Sequence, residues 1–382
     1  MKKIILFSNT AWYLYNFRLP LAEALRAQGW SVVLVAPHDP YADLLADLNF
    51  KFIELNMRRR SLNPINEFLL LTELHAVFND EKPEAILNFT VKCVVYGSLI
   101  ARLAGIKRRI NAVAGLGSVF SGQTITLSLL RPIVKLLLKV SLSGQQTHCI
   151  VQNPDDENLF LQNRIISAEK ISLIKGSGVD GSKFLPNLSK TNSVRTKKIL
   201  FASRLLKSKG IHYYFNAARA LGEQYQFMVA GMPDPGNPES VQPDELDQVT
   251  ATTTIKLLGH VDNMANLLAD IDLVILPSEY GEGVPRILIE AAASGIPLIA
   301  FDMPGCREIV KDGVNGYLVP RGNQLALNHA ISRVFTTDEH YKSLAESSRK
   351  HFASEFEQQV VIDRTLAVID DTQTSLDTAS SL

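Results

Sequence analysis

Pro277-Ser-Glu-Tyr-Gly-Glu-Gly-Val-Pro-Arg-Ile-Leu-Ile-Glu-Ala-Ala-Ala-Ser-Gly-Ile-Pro297 decides how this chain is read. Four apolar residues, Leu273–Leu276, run into it and Leu298–Ala300 run out of it. Short apolar runs bounded by Gly and Pro have the form of strands buried on both faces. Between them Pro285 stands where a helix opens, a place that tolerates its missing N–H and fixed φ. A strand, a glycine loop, a helix and a second strand make the crossover unit from which parallel sheets are built.

The same alternation extends outward in both directions. Strands are expected at Ile4–Phe7, Val32–Ala36, Phe52–Leu55, Ala85–Asn88, Ile110–Val113, Cys149–Gln152 and Ile171–Ile174. Helical periodicity marks Leu19–Ala27, Tyr41–Leu48, Glu67–Phe78 and Val95–Ala104. A polar stretch, Pro186 to Lys198, lacks periodicity and reads as a linker. The pattern then restarts with strands at Ile199–Ala202, Phe227–Ala230, Ile255–Leu258, Leu273–Leu276 and Leu298–Ala300. The expectation is an α/β chain of two Rossmann-like parallel-sheet domains facing a cleft, residues 1–186 and 199–352. A helix within 353–382 is expected to return to the first domain, with a frayed Ser/Thr-rich end from Thr372.

The 382 residues suit two domains, and 46% hydrophobic with 20% charged residues suits a globular protein. Net charge is zero but uneven: residues 1–186 hold 21 Lys+Arg against 15 Asp+Glu, the remainder 18 against 24. A basic first half points to an anionic partner there, phosphate groups or a membrane surface. Cys93, Cys149 and Cys306 are far apart without metal-ligand spacing, which fits a reduced compartment. The apolar run at the start ends by Ser8, too soon for a signal peptide, and no window is apolar enough to span a bilayer. A cytoplasmic location follows.

Within the deciding segment, Glu282 lies in the loop and Glu290 in the second turn of the helix, where carboxylates can accept from sugar hydroxyls. Backbone N–H groups at the helix start favour a diphosphate. Gly281, Gly283, Val284, Pro285 and the pair of glutamates separated by seven residues resemble the signature of retaining glycosyltransferase family 4, which has the GT-B fold. Asp302-Met-Pro-Gly-Cys-Arg-Glu-Ile-Val-Lys-Asp-Gly-Val-Asn-Gly-Tyr-Leu-Val-Pro320 and Ser203-Arg-Leu-Leu-Lys-Ser-Lys-Gly210 resemble it too. The resemblance implies that Glu282 contacts the transferred sugar and Glu290 the nucleotide ribose. It implies that Arg204 and Lys209 clamp the diphosphate, opposing the charge that grows as it leaves. By the same resemblance His260 and Val261, in Leu258-Gly-His-Val261, meet the base. Gly178, in Ser177-Gly-Val-Asp180, belongs to the domain junction. Asp270 and Asp272 straddle a helix end and a strand start, where the family carries a structural Asp, so neither a metal nor another cofactor is expected.

The first domain is expected to hold the acceptor. Tyr15-Asn-Phe-Arg-Leu-Pro20, Arg60-Ser-Leu-Asn-Pro64 and Ala114-Gly-Leu-Gly-Ser-Val-Phe120 resemble a bacterial subgroup that extends polyprenyl-diphosphate-linked sugars, including α-1,3-N-acetylgalactosaminyltransferases. That likeness nominates Asn16, Arg18, Arg60, Ser61, Asn63, Gly115 and Gly117 for the acceptor. The chain departs from many family members at two points. Ser8-Asn9-Thr10-Ala11 replaces a glycine pair, and Ala114–Gly117 stands where an active-site His is common. Residues 125–140 are basic and amphipathic, with Arg131, Lys135 and Lys139 every four residues. They suit peripheral contact with an anionic membrane at its inner face, alongside Arg58–Arg60 and Lys107–Arg109. The basic residues lack the aromatic interleaving of a nucleic-acid site.

The implied function is retaining transfer of a sugar, an N-acetylhexosamine by the subgroup, from a UDP-sugar to a lipid-linked saccharide in surface-polysaccharide or glycan biosynthesis. Two alternatives share the two-domain frame. A nucleotide-sugar 2-epimerase needs an acid/base set for C2 that the sequence lacks. A non-catalytic nucleotide-sugar-binding module does not need Glu282, Glu290, Arg204 and Lys209 intact together.

Overall fold

The computed structural model describes residues 2–58, 63–115, 125–186 and 196–379, with 125–130 and 372–379 described through their backbone alone. The chain divides into two compact units, Met1–Ser177 with Val361–Leu382, and Gly178–Val360.

The first unit holds β1 (Lys3–Phe7), β2 (Ser31–Ala36), β3 (Lys51–Glu54), β4 (Ala85–Phe89), β5 (Arg108–Val113), β6 (Thr147–Val151) and β7 (Ile171–Leu173). They pair in parallel in the order β3-β2-β1-β4-β5-β6-β7. The second unit holds β8 (Lys197–Ala202), β9 (Tyr225–Ala230), β10 (Lys256–Gly259), β11 (Leu273–Leu276), β12 (Leu298–Phe301) and β13 (Gly316–Val319). These also pair in parallel, in the order β10-β9-β8-β11-β12-β13. Helices cover both faces, which explains the unbroken apolar runs: Ile4 and Leu6 enter one core cluster, Ile5 and Phe7 another, and none is exposed. The order in which successive strands are added reverses between β1 and β4, and again between β8 and β11, while all strands stay parallel. Beyond the carboxyl ends of the strands at such a reversal, two loops diverge and leave a crevice for a ligand.

Three expectations are corrected. The change of unit falls at Ser177 rather than after residue 186, because Val179 pairs with Glu357 and joins Phe184 in the second core. Residues 187–195 of the expected linker lie outside the described residues, and Lys197 and Lys198 already belong to β8. The tail is two helices, Asp338–Glu355 and Gln358–Ala379, broken where the Val179 N–H donates to the Phe356 carbonyl and the Val179 carbonyl accepts from the Gln358 N–H. The second of them continues past Thr372, and its Val361, Ile362, Leu366, Val368 and Ile369 complete a core cluster of the first unit. Finally, Arg108 and Arg109 do not form a basic surface with Lys107. They open β5 and are 3% and 7% exposed, Arg108 over the Trp30 ring and Arg109 bonded to the Thr147 hydroxyl.

Candidate functional site

In the second unit, three loops close on one another at the carboxyl ends of β8, β11 and β12. The loop after β8 ends in a single turn, Lys207–Lys209, and Gly210 at φ 76°. A Cβ on Gly210 would stand 1.7 Å from the Pro277 carbonyl oxygen, so only glycine lets the two loops touch. The Glu279 N–H donates to the Ser208 carbonyl at 2.9 Å, closing the same seam. From the far side, Gly305 approaches the Gly283 carbonyl as tightly, 1.9 Å from a would-be Cβ.

This seam brings Lys209 and Glu282 together. The ammonium donates to the carboxylate at 2.5 Å, with side chains 11% and 16% exposed, and it lies 5.0 Å from the Tyr280 ring centre. Arg204, half-exposed in the same loop, donates instead to Asp234 at 2.8 Å. Glu290, in the second turn of the helix Arg286–Ala293, accepts from Arg286 at 2.7 Å. Burial holds its carboxyl above the usual carboxylate range, with Arg286 pulling the other way. No bond joins Arg204 or Glu290 to Glu282. Gly281 and Val284 are half-buried, Gly283 and Pro285 buried, and Pro285 caps the helix. His260 is exposed beyond β10 and pairs with Asp262, while Val261 packs on the core. Gly178, at φ 75°, opens the second unit beside the Val179–Glu357 bridge. Asp270 and Asp272 are both engaged by Lys198, through its ammonium and its backbone N–H.

In the first unit a π-helical turn, Leu14–Arg18, delivers Arg18 to the reversal between β1 and β4. The residue is 6% exposed, and its guanidinium lies 4.5 Å from the Phe89 ring centre and donates to the Tyr13 hydroxyl at 2.8 Å. Its Nε is buried without an acceptor, and no carboxylate pairs with it among the described residues. Ser8, two residues beyond Leu6 and so on the Phe89 side of the sheet, buries a hydroxyl that also lacks a partner. Thr90 follows at φ 71°, a strained value for a branched residue. Asn16 donates to the Trp12 carbonyl four residues before it, and Asn63 caps the helix Pro64–Glu81 through Ile65 N–H. Gly115, at φ 79°, follows β5, whereas Arg60, Ser61 and Gly117 lie outside the described residues.

Residues 3–153 match a family described as glycosyl transferase 4-like, and residues 188–351 match glycosyl transferases group 1. The chain is a glycosyltransferase, its first half like one of these families and its second half like the other. It is 27% identical, over 96% of its length and 98% of the relative's, to N,N'-diacetylbacillosaminyl-diphospho-undecaprenol α-1,3-N-acetylgalactosaminyltransferase of Campylobacter jejuni. Among solved structures, sucrose-phosphate synthase from Thermosynechococcus elongatus superposes with a TM-score of 0.80 over 98% of this chain and all of that one, at 18% identity. HepE from Anabaena, in complex with UDP-glucose, gives 0.73 over all of both chains, at 18% identity. The fold is GT-B.

In the second unit Lys209 and Glu282 meet in the loop that precedes the helix Arg286–Ala293, while Arg204 lies earlier in the Lys209 loop on Asp234. Sequence reasoning missed Asp234, the partner of Arg204, and Glu279, which meets Tyr213 and Arg321 of two other segments. Nothing local marks either as special, since their partners come from distant loops. No helix among the described residues is long and apolar enough to cross a membrane.

Proposed function

We propose that this glycosyltransferase moves a sugar, with retention of anomeric configuration, from a UDP-sugar to a saccharide carried on a polyprenyl diphosphate. The observation that carries the reading is the Lys209–Glu282 pair, held at the sheet reversal where a donor's diphosphate and sugar meet. Lys209 and Arg204 oppose the charge that develops on the departing diphosphate, and Glu282 fixes both the ammonium and a sugar hydroxyl. Glu290 holds the ribose. The bond from C1 to the phosphate oxygen breaks, the acceptor oxygen bonds C1 on the same face, and its proton passes to the departing phosphate oxygen. Two fixed cations do the neutralising, so the reading calls on no metal or other cofactor.

The Campylobacter relative supports an N-acetylhexosamine donor and a diphosphate-linked acceptor in surface-glycan synthesis. Arg18, buried without a counter-charge among the described residues, suits an anionic acceptor on the first unit. Residues 125–140 keep the enzyme at the inner face of the cytoplasmic membrane. Purified protein incubated with a panel of nucleotide sugars and polyprenyl-diphosphate-linked mono- and disaccharides tests this. One donor should support transfer with retained configuration, abolished by Glu282→Ala. Isomerised donor without acceptor would establish an epimerase, and nucleotide binding without turnover on any acceptor would leave a binding module.

A further inference from the structure

The helix Ile125–Ser141 connects β5 to its parallel neighbour β6, so it runs back against both strands. It therefore begins at the edge where Arg18 and Gly115 stand and ends at the opposite edge. Ile133, Leu136, Leu137 and Val140 recur at i, i+3, i+4 and i+7 and stand 55%, 62%, 40% and 44% exposed. That spacing puts all four on one helix face.

Beside the last turn, a cavity of about 460 Å³ opens against the segments that lead into β6 and β7. Lys139, Arg164 and Lys170 line it together with the hydroxyl residues Ser143 and Ser167, and no Asp or Glu is among the lining residues. None of the three cations pairs with a carboxylate among the described residues; Lys170 donates only to the Gly144 carbonyl, at 3.0 Å. Arg102 adds a fourth cation at the rim through the Ser143 hydroxyl, at 3.0 Å. The adjoining acid, Glu169, is fully exposed and takes the Ser167 hydroxyl.

An exposed apolar stripe is satisfied by hydrocarbon, and unpaired cations in a cavity by phosphate. An anionic bilayer supplies both at one depth, whereas a free anion leaves the stripe in water. We propose that this cavity receives the phosphate of an anionic phospholipid headgroup while the four apolar side chains enter the acyl boundary. The inference rests on the membrane-facing reading of 125–140 and adds a headgroup site to it. A bilayer lying along this helix reaches the edge where a lipid-linked acceptor would be presented to Arg18.

Vesicle flotation of the full chain tests it, with phosphatidylcholine alone against an equal mixture with phosphatidylglycerol. The parent should float with the anionic vesicles. Lys139→Ala/Arg164→Ala/Lys170→Ala, with an unchanged melting curve, should lose partition to them on the order of 100-fold. Leu136→Ser/Leu137→Ser should weaken what binding remains to either vesicle. Two results overturn the proposal: parental flotation by the triple variant, or equal flotation with neutral vesicles. Transfer to a short-chain soluble acceptor should be unchanged in the triple variant. A parent without any transfer that still floats as described would sink the transferase reading and leave this one standing.

Discussion

An ammonium and a carboxylate held 2.5 Å apart and largely out of water depend on each other, because removing one strands the other's charge. Lys209→Ala and Glu282→Ala should each destabilise the fold, and the double variant should cost less than their sum. Denaturant midpoints decide it, and strict additivity would mean that the pair is not coupled. In transfer assays either single change should lower kcat by roughly 10²–10³-fold. Arg18 makes the opposite forecast for stability. Its guanidinium is buried beside Phe89 with no counter-charge among the described residues, so Arg18→Leu should leave stability equal or higher while raising the acceptor KM at least about tenfold. Arg18→Lys should recover part of the KM; a drop in stability with KM unmoved would make Arg18 a packing residue. For Glu290, burial lifts the folded carboxyl above its ordinary value of 4.5, so the folded state holds this proton more tightly than the unfolded chain. Stability from this group is therefore greatest below the unfolded value and is lost as pH rises through the folded one. Glu290→Gln removes that dependence. Denaturation at pH 5 and pH 8 should show the parent losing ground to the variant at the higher pH, and the reverse order would contradict the sign.

At the scale of elements, the seam between the loops after β8 and β11 is the part most open to test. Gly210 and Gly222 both hold positive φ, at 76° and 56°, but a Cβ meets the Pro277 carbonyl at the first and open space at the second. Gly222, at ψ −139°, lies outside the left-handed helical region, so Gly222→Ala should cost about 1–3 kcal/mol from backbone strain alone. Gly210→Ala should cost several times more and lower transfer as well, because it pushes Lys209 off Glu282; thermal melts of the two variants compare them directly. The strands themselves were legible, since Leu273–Leu276 and its kin are buried on both faces and leave continuous apolar runs. Their starts were not: Lys3, Lys51, Arg108 and Lys197 are strand residues by backbone pairing, which apolar patterning does not register. β13 was missed because Gly316 and Tyr317 interrupt the apolar run. Around the candidate site, Glu282, Lys209 and Gly210 could be named from a contiguous motif. Asp234 could not, since its link to Arg204 spans 30 residues and exists only once β8 and β9 are paired.

For the whole molecule, the two units have separate cores, and the second is continuous from Gly178 to Val360. A chain truncated after Val360 loses Val361, Ile362, Leu366, Val368 and Ile369 from the first core and the Ile369 carbonyl that Arg108 donates to. Each fully buried aliphatic side chain is worth roughly 1.5–3 kcal/mol, so the first unit should melt well below the second. Calorimetry should then resolve two transitions, with UDP shifting only the upper one. A single undiminished transition would show that the helix contributes little. The same helix orders events during synthesis. Arg108 and Ile369 are 261 residues apart in sequence, and no amount of local folding can join them early. At about 5–20 residues per second, the ribosome needs roughly 10–40 s to make everything between Ser177 and Val361. Through that interval the first sheet waits with one flank bare, while the second can finish and close. The enzyme is thus assembled back to front: the later half matures first, and the half that would meet the membrane is sealed only by residues made after Val360.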